Sequence, residues 1–247
     1  MDNKIGVLNE KLKNYYEDTD LISYRHIFLE AVINYRGAKF DKILDIGSGI
    51  GIFLDSIEPF GYDRYALEAS EYGLNRLNEK GIKSQEFFLE KDKKLPFGDK
   101  EFSFVLFNQV IEHLDKSVGE YYIKEIIRVL EPGGVAIIKS PSKYSKIWRT
   151  DPHHIYCWKP NELLNEVEQY SDIIENIKLQ RVPLEPWMMF EYDDEIIDNW
   201  HKYNRYPKIK IFFHLVSKVF DKIVYKFNKN DFMLAVANVT FVKRYKI

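Results

Sequence analysis

Residues 42–52 read KILDIGSGIGI: five residues of strand character, then glycine at 47, 49 and 51, then an apolar helix start at Ile52. A strand that runs through a tight loop straight into a helix leaves few folds open. Strands joined by a helix lie parallel, and a parallel sheet needs helices over its faces. The three glycines leave bare main chain at the strand's carboxyl end, able to lie close against a ligand. Asp45 stands two residues ahead of the first glycine.

The remaining chain repeats strand and helix in turn. Residues 7–36 are predicted helical, with Leu21, Ile27, Phe28, Val32 and Ile33 at roughly helical spacing and Gly37 as a stop. A second strand over 64–67 ends at Glu68, and Ser70 is a plausible N-cap for a helix closed by Gly81. Strands are predicted at 84–89 and 102–108, then a helix over 118–130, an EPGG turn, and a fifth strand, VAIIKS. A helix beginning at Pro160 and strands over 174–182 and 231–244 complete seven strands. The fold class is α/β, with a sheet covered by helices on both faces. In such sheets ligands sit beyond the carboxyl ends of the strands, so Asp45, Glu68, Asn108 and Ser140 are expected to converge on one crevice. Residues 184–230 are too long for a hairpin loop and are expected to be helical.

Composition narrows the function. The 247 residues are 45% apolar and 30% charged, suited to one soluble domain with embellishments. Cys157 is the single cysteine, which excludes an internal disulfide and a cysteine-based metal cluster. The amino-terminal residues lack a signal-like apolar core, and no run approaches the ~18 apolar residues of a spanning helix, so a cytoplasmic protein is expected. Net charge is −2, which argues against nucleic acid as a partner. The charge is uneven: residues 205–247 carry ten Lys/Arg against two acids, and the first 204 carry 26 against 36.

The glycine loop does not fit a dinucleotide. The dehydrogenase fingerprint G-x-G-x-x-G needs glycine where Ile52 stands. Four stretches in order instead resemble the class I S-adenosylmethionine-dependent methyltransferases: LDIGSGIG (44–51), YALEAS (65–70), LPFGDKEFSFVLFNQVIEHL (95–114) and RVLEPGGVAIIKSP (128–141). The resemblance implies a Rossmann-like seven-stranded sheet with helices on both faces, N-terminal helices over 1–37, a cofactor core over 38–183, a helical substrate cap over 184–230 and a last strand over 231–247. It also implies S-adenosyl-L-methionine as cofactor. Gly47, Ser48, Gly49 and Gly51 would meet its amino-acid part and Asp45 its cationic end. Glu68, with Ala69 beside it, would accept from the ribose hydroxyls, and Asn108 and Gln109 would border it after the fourth strand. The acid that meets the adenine amine is either Glu90 or Asp92, since neither aligns cleanly. Tyr15, Tyr16 and Arg25 are candidates for a lid over the cofactor, with a surface position as the plainer alternative.

Methyl transfer is a displacement from a good leaving group, so alignment carries most of it. A hydroxyl acceptor adds the need for a general base; an amine does not. Three histidines are placed where such a base would stand. His113 follows the fourth strand, and His153 and His154 occur in DPHHIYCW, a loop able to fold over the same crevice. Asp151 would orient one of them. A metal site is not expected, because adjacent histidines on an extended loop point in different directions. The DPHHIYCW stretch followed by a helix resembles bacterial methyltransferases of sugars and surface polysaccharides. It implies O-methylation of a saccharide, with an amino-sugar nitrogen or a lipid or quinone precursor as alternatives. The non-enzyme alternative is a cofactor-binding inactive partner subunit, against which the intact Asp45, Gly47, Gly49, Gly51 and Glu68 argue. The Asn/Asp-Pro-Pro-aromatic box of adenine-amine DNA methyltransferases is absent, since Asn108 is followed by Gln109 and Val110. The basic stretch near the carboxyl end has three readings: a patch for an anionic acceptor, a membrane-surface helix, or a solvated face.

Overall fold

The structure is a computed structural model that describes residues 40–141, 148, 151–183 and 234–244, with no side-chain detail over 180–183 and 234–238. The predicted helices over 7–36 and the cap over 184–230 lie outside the described residues.

Seven strands form one sheet in the order β3-β2-β1-β4-β5-β7-β6. They are β1 (Lys42–Ile46), β2 (Asp63–Glu68), β3 (Lys83–Glu86), β4 (Phe102–Asn108), β5 (Leu130–Pro141), β6 (Ile174–Pro183) and β7 (Leu234–Lys243). The first five pair in parallel, and β7 inserts antiparallel between β5 and β6. The sheet is therefore mixed, not purely parallel. The order reverses between β1 and β4, the switch point at which open α/β sheets place ligands.

The helices are α1 (Ile52–Ser56), α2 (Glu71–Glu79), α3 (Lys116–Val129) and α4 (Pro160–Glu168). Ser70 caps α2 by accepting from the Gly73 N–H at 3.0 Å, and Pro160 opens α4. Alternation along the strands sorts the core into two layers. Phe53, Leu54, Leu77, Phe104, Leu106 and Ile137 pack on the α1/α2 face. On the other face, Val105, Phe107, Ile138, Tyr122, Ile126, Trp158 and Leu163 pack against α3 and α4. Strands buried on both faces read as continuous apolar runs, which is why FSFVLF and VAII carry no polar alternation.

Two boundaries differ from expectation. The third strand ends at Glu86, because the chain leaves the sheet at Phe87 to enter a loop clamped by α3. There the Tyr122 hydroxyl accepts from the Glu90 N–H at 3.1 Å and donates its proton to the Lys93 carbonyl at 2.9 Å. Glu125 accepts from the Leu95 N–H, and Arg128 donates to the Leu95 and Phe97 carbonyls. The EPGG stretch is a bulge inside β5 rather than a turn ahead of it: Phe102 pairs with Leu130 and Phe104 with Val135. Among the described residues, no helix is long and apolar enough to cross a membrane.

Candidate active site

One wall of the crevice is main chain. Gly47, Gly49 and Gly51 have φ of 71°, 57° and 74°, which a side chain would strain. A Cβ on Gly47 would also come within 2.5 Å of Val110, and one on Gly51 within 2.5 Å of Leu77. The Gly47 and Ser48 N–H groups donate to the Leu67 carbonyl at 2.8 and 3.1 Å, which ties the loop to the end of β2.

Two buried carboxylates lie under this loop. Glu68 accepts from the Gly49 N–H at 2.7 Å through Oε2, and from the Ala69 and Ser70 N–H groups at 2.9 Å each through Oε1. A carboxylate has about four acceptor positions. Three are thus engaged by main chain, so a ribose diol could take both of its expected bonds only by displacing one N–H. Asp45, 5% exposed, has its carboxyl pushed up to about 8, first by burial and second by the neighbouring charge of Glu68. A cation brought into the pocket counters both causes. Among the described residues, the buried Ser48 hydroxyl has no hydrogen-bond partner. A raised carboxyl, an orphaned hydroxyl and a side-chain-free loop fit the ammonium, sulfonium and carboxylate of S-adenosylmethionine.

The opposite wall follows β4. Asn108 and Gln109 are partly exposed at its end, and Gln109 takes a left-handed φ of 58° while its N–H donates to the Lys139 carbonyl. A single 3₁₀ turn, Ile111–His113, comes next. Loop 151–159 lies on this turn: the Ile155 and Tyr156 N–H groups donate to the Glu112 carbonyl at 2.8 and 3.1 Å. Trp158 fixes the loop from below, since it lies in a notch of α3 where a Cβ on Gly119 would be 2.9 Å from Cζ2.

These contacts bring His113 and His154 together, with ring centroids 4.7 Å apart. His113 Nδ1 lies 3.1 Å from the His153 carbonyl and His154 Nδ1 lies 3.2 Å from the Trp148 carbonyl. A carbonyl only accepts, so Nδ1 carries a proton in both rings, and Nε2 is the nitrogen turned away from these carbonyls. His154 Nε2 is 4.0 Å from Glu112 Oε1 and 3.7 Å from Asp151 Oδ2. The His154 and Glu112 side chains are 3% and 0% exposed, and the Trp148 ring stacks on His154 at 4.7 Å.

The His153 ring, in contrast, is exposed, and what it adds to the cluster is its main-chain carbonyl. Glu90 and Asp92 are both exposed on the loop that Tyr122 clamps. Ser140 is buried at the end of β5, and its hydroxyl has no partner among the described residues. Tyr15, Tyr16 and Arg25 lie outside the described residues. Sequence reasoning passed over Glu112, although an acid directly before His113 was readable. It had no means of finding the Trp148 carbonyl or the notch at Gly119, which exist only once the loop is folded back.

A family model described as a methyltransferase domain matches residues 19–172. The biotin biosynthesis bifunctional protein BioHC of Cellvibrio japonicus (strain Ueda107) is 27% identical over 111 residues, covering 44% of this chain but only 22% of that protein's length. A SAM-dependent methyltransferase from Archaeoglobus fulgidus superposes with a TM-score of 0.62 at 17% identity, over 91% of this chain and 95% of that one. Phosphoethanolamine N-methyltransferase 2 of Haemonchus contortus, in complex with S-adenosyl-L-methionine, gives 0.57 at 17% over 93% and 58%. The [4+2]-cyclase SpnF gives 0.56 at 16% over 90% and 81%. At these identities the solved structures share the fold, and the fold alone does not choose an acceptor.

Proposed function

The chain belongs to the methyltransferase domain family, with the class I fold and S-adenosylmethionine as cofactor, and from that premise we propose that it methylates a hydroxyl of a saccharide, carried on a nucleotide or on a surface-polysaccharide precursor. When bound, the cofactor supplies an electrophilic methyl group on a positively charged sulfur. Asp45, Ser48 and the glycine loop hold its amino-acid end, and Glu68 and Ala69 its ribose side. Asn108 and Gln109 border the reacting end.

The observation that carries the hydroxyl reading is the contact of His154 Nδ1 with the Trp148 carbonyl, which directs Nε2 toward the carboxylate side of the ring. An alcohol needs a proton acceptor as its oxygen becomes the nucleophile, a contribution of about 10²–10⁴-fold. A neutral amine needs none. His154 takes that proton, and the Glu112 and Asp151 carboxylates beside it stabilise the imidazolium. His113 packs against the same ring and takes part in holding it. Holding acceptor and donor atoms in line contributes the larger share, roughly 7–11 kcal/mol in well-oriented systems.

The runner-up is an amino-sugar nitrogen, or a hydroxyl of a lipid or quinone precursor. A lipid-linked acceptor would call on the basic residues between 205 and 247 for peripheral contact with an anionic membrane surface. The test is incubation with S-adenosylmethionine and a panel of nucleotide sugars, read as release of S-adenosylhomocysteine. Turnover of a neutral sugar that collapses in His154→Asn supports the proposal. Turnover of amino sugars only, unchanged in that variant, replaces it with N-methylation.

A further inference from the structure

We infer that Glu112, His113 and His154 form a site for a first-row divalent cation at the mouth of the acceptor crevice. The adjacent pair His153 and His154 does not make such a site, because the first ring is exposed and the second is turned inward. The second imidazole comes instead from another segment. One ligand atom from each of Glu112, His113 and His154 lies within 4.8 Å of the others.

Three features make this cluster more than a chance meeting of polar groups. Both rings offer Nε2, because both Nδ1 atoms face main-chain carbonyls. Metal-binding histidines are held in that way, the outer nitrogen donating to a carbonyl that sets tautomer and ring orientation. The His154 Nε2 separation of 4.0 Å to Glu112 Oε1 exceeds a hydrogen bond. Two ligands of one ion lie roughly 3.4 Å apart for bonds of ~2.0–2.2 Å at tetrahedral angles, so ligand atoms within 4.8 Å of one another need only a small inward shift to share a cation. The carboxylate and one of the two rings are already nearly closed to solvent, so their desolvation is part of folding rather than of binding. Two imidazoles and a carboxylate suit zinc, cobalt or manganese better than magnesium or calcium, which prefer all-oxygen sets.

Three protein ligands leave a fourth position of a tetrahedral ion for a further ligand, and an acceptor hydroxyl taken there would be oriented and made more acidic. In that part the inference rests on the O-methylation reading, and it moves His154 from proton acceptor to ligand. Cation binding itself is measured without cofactor or acceptor, so it stands or falls separately from the choice of substrate.

The experiment titrates chelator-stripped protein with Co²⁺ and follows its visible absorption, with Zn²⁺ then added in competition. One equivalent is expected to give the intense bands of four- or five-coordinate cobalt, displaced stoichiometrically by zinc. His113→Asn and His154→Asn should each weaken binding more than about a hundredfold, beyond the 10–100-fold typical of losing an outer-sphere partner. His153→Asn should leave the bands in place, and circular dichroism of all three variants checks that they fold. No saturable cobalt spectrum in the wild type overturns the inference. So does binding that survives the folded His113→Asn/His154→Asn double variant.

Discussion

The two walls of the crevice are built from different material. The cofactor wall comes from one continuous piece of chain, residues 42–70, and its contacts are mainly main-chain N–H groups, glycines and two buried acids. The acceptor wall is assembled from side chains of Glu112, His113, Asp151 and His154, drawn from segments about forty residues apart. Main chain cannot be varied one residue at a time without changing the fold, whereas side chains on a stitched loop can. Under the proposed reading, a fixed ligand would meet backbone and a choosable acceptor would meet side chains.

That contrast breaks most decisively at Glu68. Glu68→Ala strands three N–H groups, and the two buried ones, of Gly49 and Ser70, each cost about 1–3 kcal/mol. It should abolish cofactor binding and lower the denaturant midpoint sharply, as urea unfolding with calorimetry would show. No acceptor-wall substitution should do both.

His154→Asn should lower turnover of a hydroxyl acceptor by about 10²–10⁴-fold while cofactor affinity, measured by calorimetry, stays within a few-fold. Equal losses in affinity and turnover would mean that the two walls are not separable.

Asp45→Asn sharpens the comparison through pH. With its carboxyl raised from 3.8 to about 8, Asp45 is protonated in the folded protein and ionised in the unfolded chain between those values. The folded state then holds the extra proton, so stability falls as pH rises from about 4 to 8. Without ligand, Asp45→Asn should melt higher than wild type at pH 8, by about 5 °C, with the gap closing near pH 4. In wild type, cofactor affinity should climb with pH up to about 8, and binding below that should release a proton. Both effects should vanish in the variant, as calorimetry in buffers of different ionisation enthalpy would reveal.

Gly119→Ala presses a methyl onto Trp158 and Ile111, at a cost of about 1–3 kcal/mol. It should slow turnover more than it weakens cofactor binding, because Trp158, a core residue on the α3 face, seats the histidine loop. The smallest effects are expected at Glu90→Ala and Asp92→Ala, exposed on a clamped loop. A change in cofactor affinity above about tenfold at either would identify it as the acid that meets the adenine.

Local sequence was a good guide wherever structure is local. The periodicities placed β1, β2 and β4 and helices α2 and α4 nearly to the residue, and Ser70 was readable as a cap because its partner Gly73 is three residues away. The loop of glycines was readable as bare main chain, and the left-handed φ at Gly47, Gly49 and Gly51 is the form that this takes in the structure. The antiparallel entry of β7 was not legible, because pairing direction depends on how a distant strand returns. The bulge in β5 stayed hidden for the same reason: it is decided by what lies across from it on β4.

By itself, then, the sequence determined the α/β alternation, the loop of glycines with its flanking acids, and the identity of the cofactor they suit. Only the tertiary structure decided that Glu68 is largely occupied with main-chain N–H groups, that Asp45 is buried enough to hold a proton, and that His154 meets His113 and Glu112 rather than acting beside His153. The physical reason is range. Backbone preference and periodicity act over a few residues, whereas burial, charge coupling and ring orientation depend on neighbours that the chain brings together only when it folds.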